Sequence, residues 1–533
     1  MKKLNDLEYL KLNKLQALWY NLQLFFCAIP GRFKKLGLSI LNFFKNCGLG
    51  VKNEVLDIGT TFTKGNWAVK LSFLFFGMGN LFYGQIARGI LFFLFEVIFI
   101  AYMLIPNGGI HWLSKGHWNN MFADPKTTPL EQLTLGTDGP VKSYDPIFDQ
   151  YVTNYGDDSV KVMLYGLLTI LFIIAFIYTW RLQIKQCRIN MDIVASGRRI
   201  KSAKDDLRSL VDDQFHKTML ALPLGGILFF TVLPTIYMVL IPLTSYDAEH
   251  NGYANKLFNW VGFEHFEELT NFGKGGMGAA FGEIISWTLM WAFFATFTNY
   301  FLGMFVAIMI NKKGIKIKKF WRTVLVMTIA IPQFVSLLYV KNLFTSSGII
   351  GKQLLNWNLI PEFMQAQSQL DLWANPITSK ILLVVINIWV GIPYIMLMAT
   401  GILMNIPQDL YESARIDGAS GVQQYTKITL PYMMFVMGPY LLTSFVGNLN
   451  NFNIIYLLSG GGPANTEIGY AGGVSIGHTD LLITWLYRMT LESPQTQYYY
   501  ASMIGILVFV FVAALSLVVY NLIPSTKNEE DYR

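Results

Sequence analysis

Asn387, Val390, Gly391 and Tyr394 lie inside one long apolar stretch, and Ser444, Asn448 and Asn451 lie inside another. Spacings of three, four and seven put each set on one face if both stretches are helical. An unsatisfied amide in lipid costs several kcal/mol, so these side chains must face protein or a wet cavity. Two readings stand: the amides bond helices to one another, or they line a polar site near the middle of a membrane. A carboxamide donates and accepts at once, as neighbouring sugar hydroxyls require, and Tyr394 or Phe452 offers a ring to stack on a sugar face. Pro393 frees a carbonyl beside Tyr394, and Gly391 admits close approach to the backbone. Neither Lys nor Arg lies at this depth, which favours a neutral ligand.

A second constellation runs from Asn405 to Pro431, between the same two stretches. Pro407 suits a first helical turn, Asp409 and Glu412 complement the dipole at that end, and Gly418 supplies a left-handed stop. A second short helix is expected from about Val422 to Lys427, leading into Leu430 and Pro431. Helix, glycine turn and helix read either as a mechanical handle tied to two spans or as an amphipathic linker.

The elements that position these residues follow from composition. The chain has 533 residues, of which 53% are hydrophobic, 15% aromatic and 14% charged; soluble proteins carry roughly 25% charged residues. Apolar runs of about 20 residues cross a bilayer, and eight are expected, over 89–105, 162–180, 220–244, 284–310, 323–343, 381–403, 432–458 and 501–522. A further apolar stretch, 71–85, is interrupted by Gly77, Gly79, Gly84 and Gln85 and reads as interfacial or re-entrant. Arg181, Lys185, Arg188, Arg198, Arg199, Lys201, Lys204 and Arg208 mark one cytoplasmic loop, and Lys312, Lys313, Lys316, Lys318 and Lys319 another. The alternate loops are acidic, with Asp138, Asp145, Asp149, Asp157 and Asp158 in one and Asp247, Glu249, Glu264, Glu267 and Glu268 in the next. Both termini are then expected in the cytoplasm.

The N-terminal stretch is basic and lacks a short apolar core followed by a cleavage site, so a signal peptide is not expected. It reads as an amphipathic arm on the inner membrane face or as a soluble helical extension. Cys27, Cys47 and Cys187 fall on the cytoplasmic side without metal or redox spacing. Ion-coupled carriers need ionisable residues within their spans; Glu96 is the clear one here, expected neutral or paired with a neighbouring helix. The phosphate-binding pattern of an ATPase is missing, since Gly348, Gly351 and Lys352 are too closely spaced. A membrane-embedded glycosyltransferase needs a carboxylate pair or His cluster at the membrane edge, and the six His residues form none. The energy source is expected on another chain.

The run from Tyr411 to Ser420, followed by Ile428 to Pro431, resembles the Glu-Ala-Ala, Gly, Leu-Pro loop of binding-protein-dependent ABC import permeases, with Ser413 in place of the first Ala. That resemblance implies an all-α polytopic membrane protein with the type I ABC importer permease fold, and no catalysis in this chain. It implies that Glu412 makes the polar contact to the ATPase, Gly418 the turn, and Ala414 and Ala419 the close packing, with Asp417, Leu430 and Pro431 completing the coupling motif. It also implies these partners: a second homologous permease, a dimer of ABC ATPase subunits holding ATP and Mg, an extracellular substrate-binding protein, and membrane lipid, with no nucleic acid. The expected location is the bacterial cytoplasmic membrane. The domains expected are a basic arm over 1–70, an N-terminal transmembrane region over 71–215, and a six-helix core permease domain over 216–533 with the coupling loop at 405–431.

A narrower resemblance rests on Asn387 to Tyr394, Ser444 to Asn453 and Leu457 to Pro463, which look like the larger permease of maltose/maltodextrin importers. It covers the chain from about Leu220 onward and implies sugar contacts in the sixth and seventh spans. In the fifth span, the family's sugar-contacting Tyr and Ser fall on Ile329 and Gln333 when Pro332 is the anchor. The implied cargo is a maltodextrin-like oligosaccharide, or, as the alternative, another neutral glycan or a glycoside. The stretch from Asp247 to Glu283 is too short for the large external domain of some relatives, leaving 464–497 and 346–380 for receptor docking.

Overall fold

The computed structural model describes residues 42, 45–46, 48–50, 52–122, 141–145, 150–154, 158–357, 372–493 and 496–522, apart from 201, 253–255, 274, 313 and 346. Residues 1–41 of the expected arm, Cys27 and Cys47 lie outside these residues. Among the described residues seven helices are long and apolar enough to cross a membrane: Ile86–Leu104, Ser159–Ala195, Phe215–Leu243, Met277–Asn311, Pro376–Leu403, Gly421–Leu458 and Tyr498–Leu517. An eighth is formed if the pair Lys318–Ala330 and Gln333–Leu343 is one span, and that pair is bent by 96°. The chain is an all-α polytopic membrane protein, with seven of the eight expected spans each found among these helices and the fifth, expected over 323–343, falling on the bent pair.

The bend has a local cause. Pro332 has no N–H to donate, and it pushes Ile331 before it into extended conformation at φ −84°, ψ 130°. The fifth span is therefore not the single straight helix expected from hydropathy. The seventh also breaks: helix Leu430–Leu449 ends and Phe452–Leu458 begins after the Asn451 side chain caps it by accepting from the Ile454 N–H at 3.4 Å.

The described residues fall into two compact units. One takes the residues up to Gly109 and 168–223. In it the stretch 71–85 begins in the last residues of a short helix, Trp67–Ser72, and forms a second, Met78–Phe82, which starts after Gly77, whose φ of +76° suits glycine. A Cβ on Gly77 would lie 2.1 Å from the Gly89 carbonyl oxygen, so the turn is pressed against the first span. Glu96 is buried there and accepts from the Phe76 N–H at 2.9 Å, so its partner is a backbone donor in this turn. Gln183 donates to the Ser72 carbonyl at 2.5 Å, and Asn190 donates to Asn80 at 3.1 Å and Gln85 at 2.9 Å. Cys187 is buried beside Gly79 as a small apolar side chain. A helix over residues 52–64 is held through Asp57, which accepts from Arg181 and, at 2.5 Å, from Arg188.

The other unit takes 110–167 and the residues from 224. Its centre is the seam between Met277–Asn311 and Pro376–Leu403. Lipid tails are as apolar as the side chains, so close packing rather than water exclusion holds such helices together. Small residues make that possible here: Ala295, Gly303 and Ala307 on one helix and Gly391 and Ala399 on the other. A Cβ on Gly303 would fall 2.5 Å from Ile395 Cβ. Trp291 is fully buried on the same seam and donates from Nε1 to the Asn448 carbonyl at 3.1 Å, which brings in the seventh span.

Beyond the seventh span, residues 459–493 fold tightly around Asp480. Its carboxylate accepts from the Gly477 N–H at 2.8 Å, Thr484 Oγ1 at 3.0 Å and Arg488 at 2.7 Å. Strands Tyr470–Ala471 and Val474–Ser475 form a small antiparallel hairpin in this segment.

Candidate functional site

The polar stripes meet a third helix. Asn387 is buried and donates to the Ala295 carbonyl at 3.4 Å. Asn448 donates to Thr296 Oγ1 at 3.0 Å and accepts from Asn451 at 3.2 Å. Thr296 and Ala295 sit on Met277–Asn311, which the sequence reading left out of the site. These three amides therefore bond the sixth and seventh spans to the fourth and shape the break at Asn451. Val390 is half-buried against the cluster of Trp287, Trp291 and Leu383.

Gly391 lies against the fourth span. A Cβ there would lie 2.3 Å from Asn299 Nδ2 and 2.8 Å from Asn299 Oδ1. The space beside the glycine is taken by the Asn299 carboxamide, so the fourth span approaches the backbone there.

Tyr394 and Ser444 are placed otherwise. Tyr394 is 50% exposed, with its ring centroid 6.0 Å from that of Tyr440. Tyr440 and Ser444 lie one turn apart on Leu430–Leu449. Tyr394 and Ser444, fifty apart in sequence, are brought together by a tyrosine that carries no local signal of its own. Gln333 and Ile329 are exposed on either side of the bend at Pro332. Phe452 stacks on Tyr456 at 4.7 Å and meets Tyr487 at 4.7 Å, so its faces are engaged by protein.

The cytoplasmic loop forms the two helices expected, with shifted bounds. Helix Gln408–Ile416 starts after Pro407, which takes the N-cap place at ψ 130° rather than the first turn. It stops at Gly418, whose φ of +78° gives the left-handed turn, and the Ala419 N–H returns to the Ala414 carbonyl at 2.8 Å. Ser420 and Gln423 cap Gly421–Gln424 reciprocally. A wide turn over Tyr425–Thr429 then runs straight into Leu430–Leu449, with Pro431 in its first turn. The second helix thus starts earlier than Val422 and does not end at Lys427; it is the root of the seventh span.

Glu412, Asp417 and Gly418 are exposed, while Ala414 and Ala419 are half-buried in the handle's own packing. Ile416 and Val422 are 86% and 73% exposed on either side of the glycine turn. A cavity of about 320 Å³ at the handle's base is lined by Asn311, Leu403, Tyr411, Glu412 and Arg415, among others. Asn311, which no sequence pattern singled out, ties the base together. It donates to the Ala307 carbonyl at 2.7 Å and Thr400 Oγ1 at 3.1 Å, and it accepts from Arg322 and, on its carbonyl at 3.2 Å, from Lys318.

Comparison with known proteins adds to this geometry. The family described as binding-protein-dependent transport system inner membrane component matches residues 299–528. The maltodextrin transport system permease protein MalC of Streptococcus pneumoniae is 29% identical over 449 residues, 84% of this chain and 93% of its own. The galactooligosaccharides transport system permease protein GanP of Bacillus subtilis is 34% identical over 62% of this chain and 76% of its own. The maltodextrin transport system permease protein MdxF of Bacillus subtilis is 31% identical over 70% of this chain and 84% of its own.

Proposed function

We propose, from the premise that this chain belongs to the family of binding-protein-dependent transport system inner membrane components, that it is the larger permease subunit of an ATP-driven importer of a maltodextrin-like oligosaccharide. The observation that carries the reading is the cytoplasmic handle, rooted without a break in the span that bears Ser444 and Asn448. Movement imposed on Glu412 and Gly418 passes through Tyr425–Thr429 into that span. Exposed Ile416 and Val422 beside the turn suit a partner's apolar cleft, which the ATPase subunits provide. ATP and Mg belong to those partners, and this chain contributes motion and a path, not hydrolysis.

In the complete importer a second homologous permease stands beside this one, two ATPase subunits meet the handles, and an extracellular binding protein delivers sugar. The basic loops support a topology with the handle and both termini on the cytoplasmic side of the bacterial membrane. The arm over 1–70 and the region 71–215 precede the core permease domain from residue 216. Tyr394, Tyr440 and Ser444 offer a ring and hydroxyls to a neutral sugar, with Gln333 beside the bend. Exchange between inward and outward states rocks the spans about the seam of Met277–Asn311 and Pro376–Leu403.

Another glycan is the second reading, favoured by the 34% identity to a permease for galactooligosaccharides. A thermal-shift panel on the cognate binding protein, with uptake of the same sugars by the intact importer, decides between them. A binding protein that selects a peptide or a metal ion overturns the oligosaccharide assignment.

A further inference from the structure

Among the mid-membrane amides discussed above, Asn387, Asn448 and Asn451 each bond to protein. Asn299 differs: its Oδ1 is buried and has no hydrogen-bond partner among the described residues. Asn299 stands one turn beyond Ala295 and Thr296, on the face of Met277–Asn311 that receives Asn387 and Asn448. Its amide occupies the space that a side chain at Gly391 would fill. An amide oxygen left without a donor inside a membrane protein costs about 1–3 kcal/mol. The next residue, Tyr300, also has a buried hydroxyl without a partner among the described residues, so this stretch of the fourth span keeps hydrogen-bonding capacity that a group from outside the chain can meet.

We infer that Asn299 is a further ligand-contacting residue of the mid-membrane site, its Oδ1 accepting a hydrogen bond from a hydroxyl of the neutral oligosaccharide in transit. The inference rests on the importer reading above. A hydroxyl is the donor that a neutral sugar presents in number, and a site built to bond one discriminates against a ligand that presents it elsewhere. Asn299 therefore sets selectivity among sugars. Gly391 is a positioning residue that acts through it.

The test uses the intact importer in proteoliposomes, with maltotriose and a galactosyl trisaccharide as probes. Asn299→Leu, which keeps the volume and removes the acceptor, should lower uptake of the preferred sugar about tenfold, the equivalent of one hydrogen bond. The ratio between the two sugars should change with it. Asn299→Ser, which keeps an acceptor oxygen, should recover part of the loss. Both variants should co-purify with the second permease. An unchanged ratio in Asn299→Leu overturns the inference, as does loss of uptake accompanied by loss of the second permease, which would assign the amide to the contact between permeases. If the unsubstituted importer carries neither trisaccharide nor any other sugar of the panel, the importer reading itself fails.

Discussion

The hydroxyls of Tyr411 and Thr429 lie 2.8 Å apart, joining the first helix of the cytoplasmic handle to the last turn before the seventh span. Across the glycine turn, this bond lets two short helices move as one body. Tyr411→Phe removes it and is expected to cost about 1 kcal/mol. In reconstituted importer, sugar moved per ATP hydrolysed should fall while the protein still inserts and assembles. Glu412→Ala should uncouple more strongly. Gly418→Pro, which cannot adopt the observed φ of +78°, should abolish uptake; normal uptake in that variant would falsify the coupling assignment.

Gly391 and Asn299 compete for one volume, since a Cβ on the glycine would lie 2.3 Å from the amide nitrogen. Gly391→Ala is expected to lower the melting temperature of the purified importer, by overpacking of about 1–3 kcal/mol. Adding Asn299→Ala should restore most of that loss, because the added methyl and the removed amide are coupled through shared space. Additive losses would show that the clash lies elsewhere. Gly303→Ala, which meets Ile395 instead, should not be rescued by Asn299→Ala.

Pro332 sets the 96° bend in the fifth span. Pro332→Ala supplies an N–H and releases the restraint on Ile331, so the two halves are expected to approach one continuous helix. Spin labels at exposed Val324 and Tyr339 should then move apart in distance measurements. Uptake should fall with the displacement of Gln333. Unaltered distances would show that tertiary contacts alone impose the bend.

Burial pushes the Asp480 carboxyl up to about 6, against the pull of Arg488 and the Gly477 N–H. An unfolded Asp titrates near 3.9, so between about pH 4 and 6 the folded state holds the proton that the unfolded state has lost. Stability must fall as pH rises through that window and level off above it. The melting temperature of the native importer, relative to an Asp480→Asn variant that mimics the protonated form, should decline from pH 5 to pH 7. A flat difference would refute the raised value. Asp480→Ala strands the mostly buried Arg488 and should cost about 3–5 kcal/mol, seen as faster proteolysis within 459–493.

Sequence by itself determined what is local. Each span follows from an apolar run, and the handle's stop follows from Gly418, whereas the bend at Pro332 was not read from the apolar run that contains it. Hydropathy, chain-end chemistry and forbidden backbone angles act within a few residues, so they can be read without neighbours. The site was only half legible, because a polar residue in a helix announces its face and not its partner. Asn387 and Asn448 were chosen by spacing, yet Ala295 and Thr296, 92 and 152 residues away, take up their donors. Tyr440 and Asn299 lie on helices rich in apolar residues and give no periodic signal. Gly391 could be read as an opening until Asn299 was found in it. Only the tertiary structure decided which amides bond the helices to one another and which oxygen is left without a donor, since hydrogen bonds across spans depend on how helices pack and not on the order of their residues.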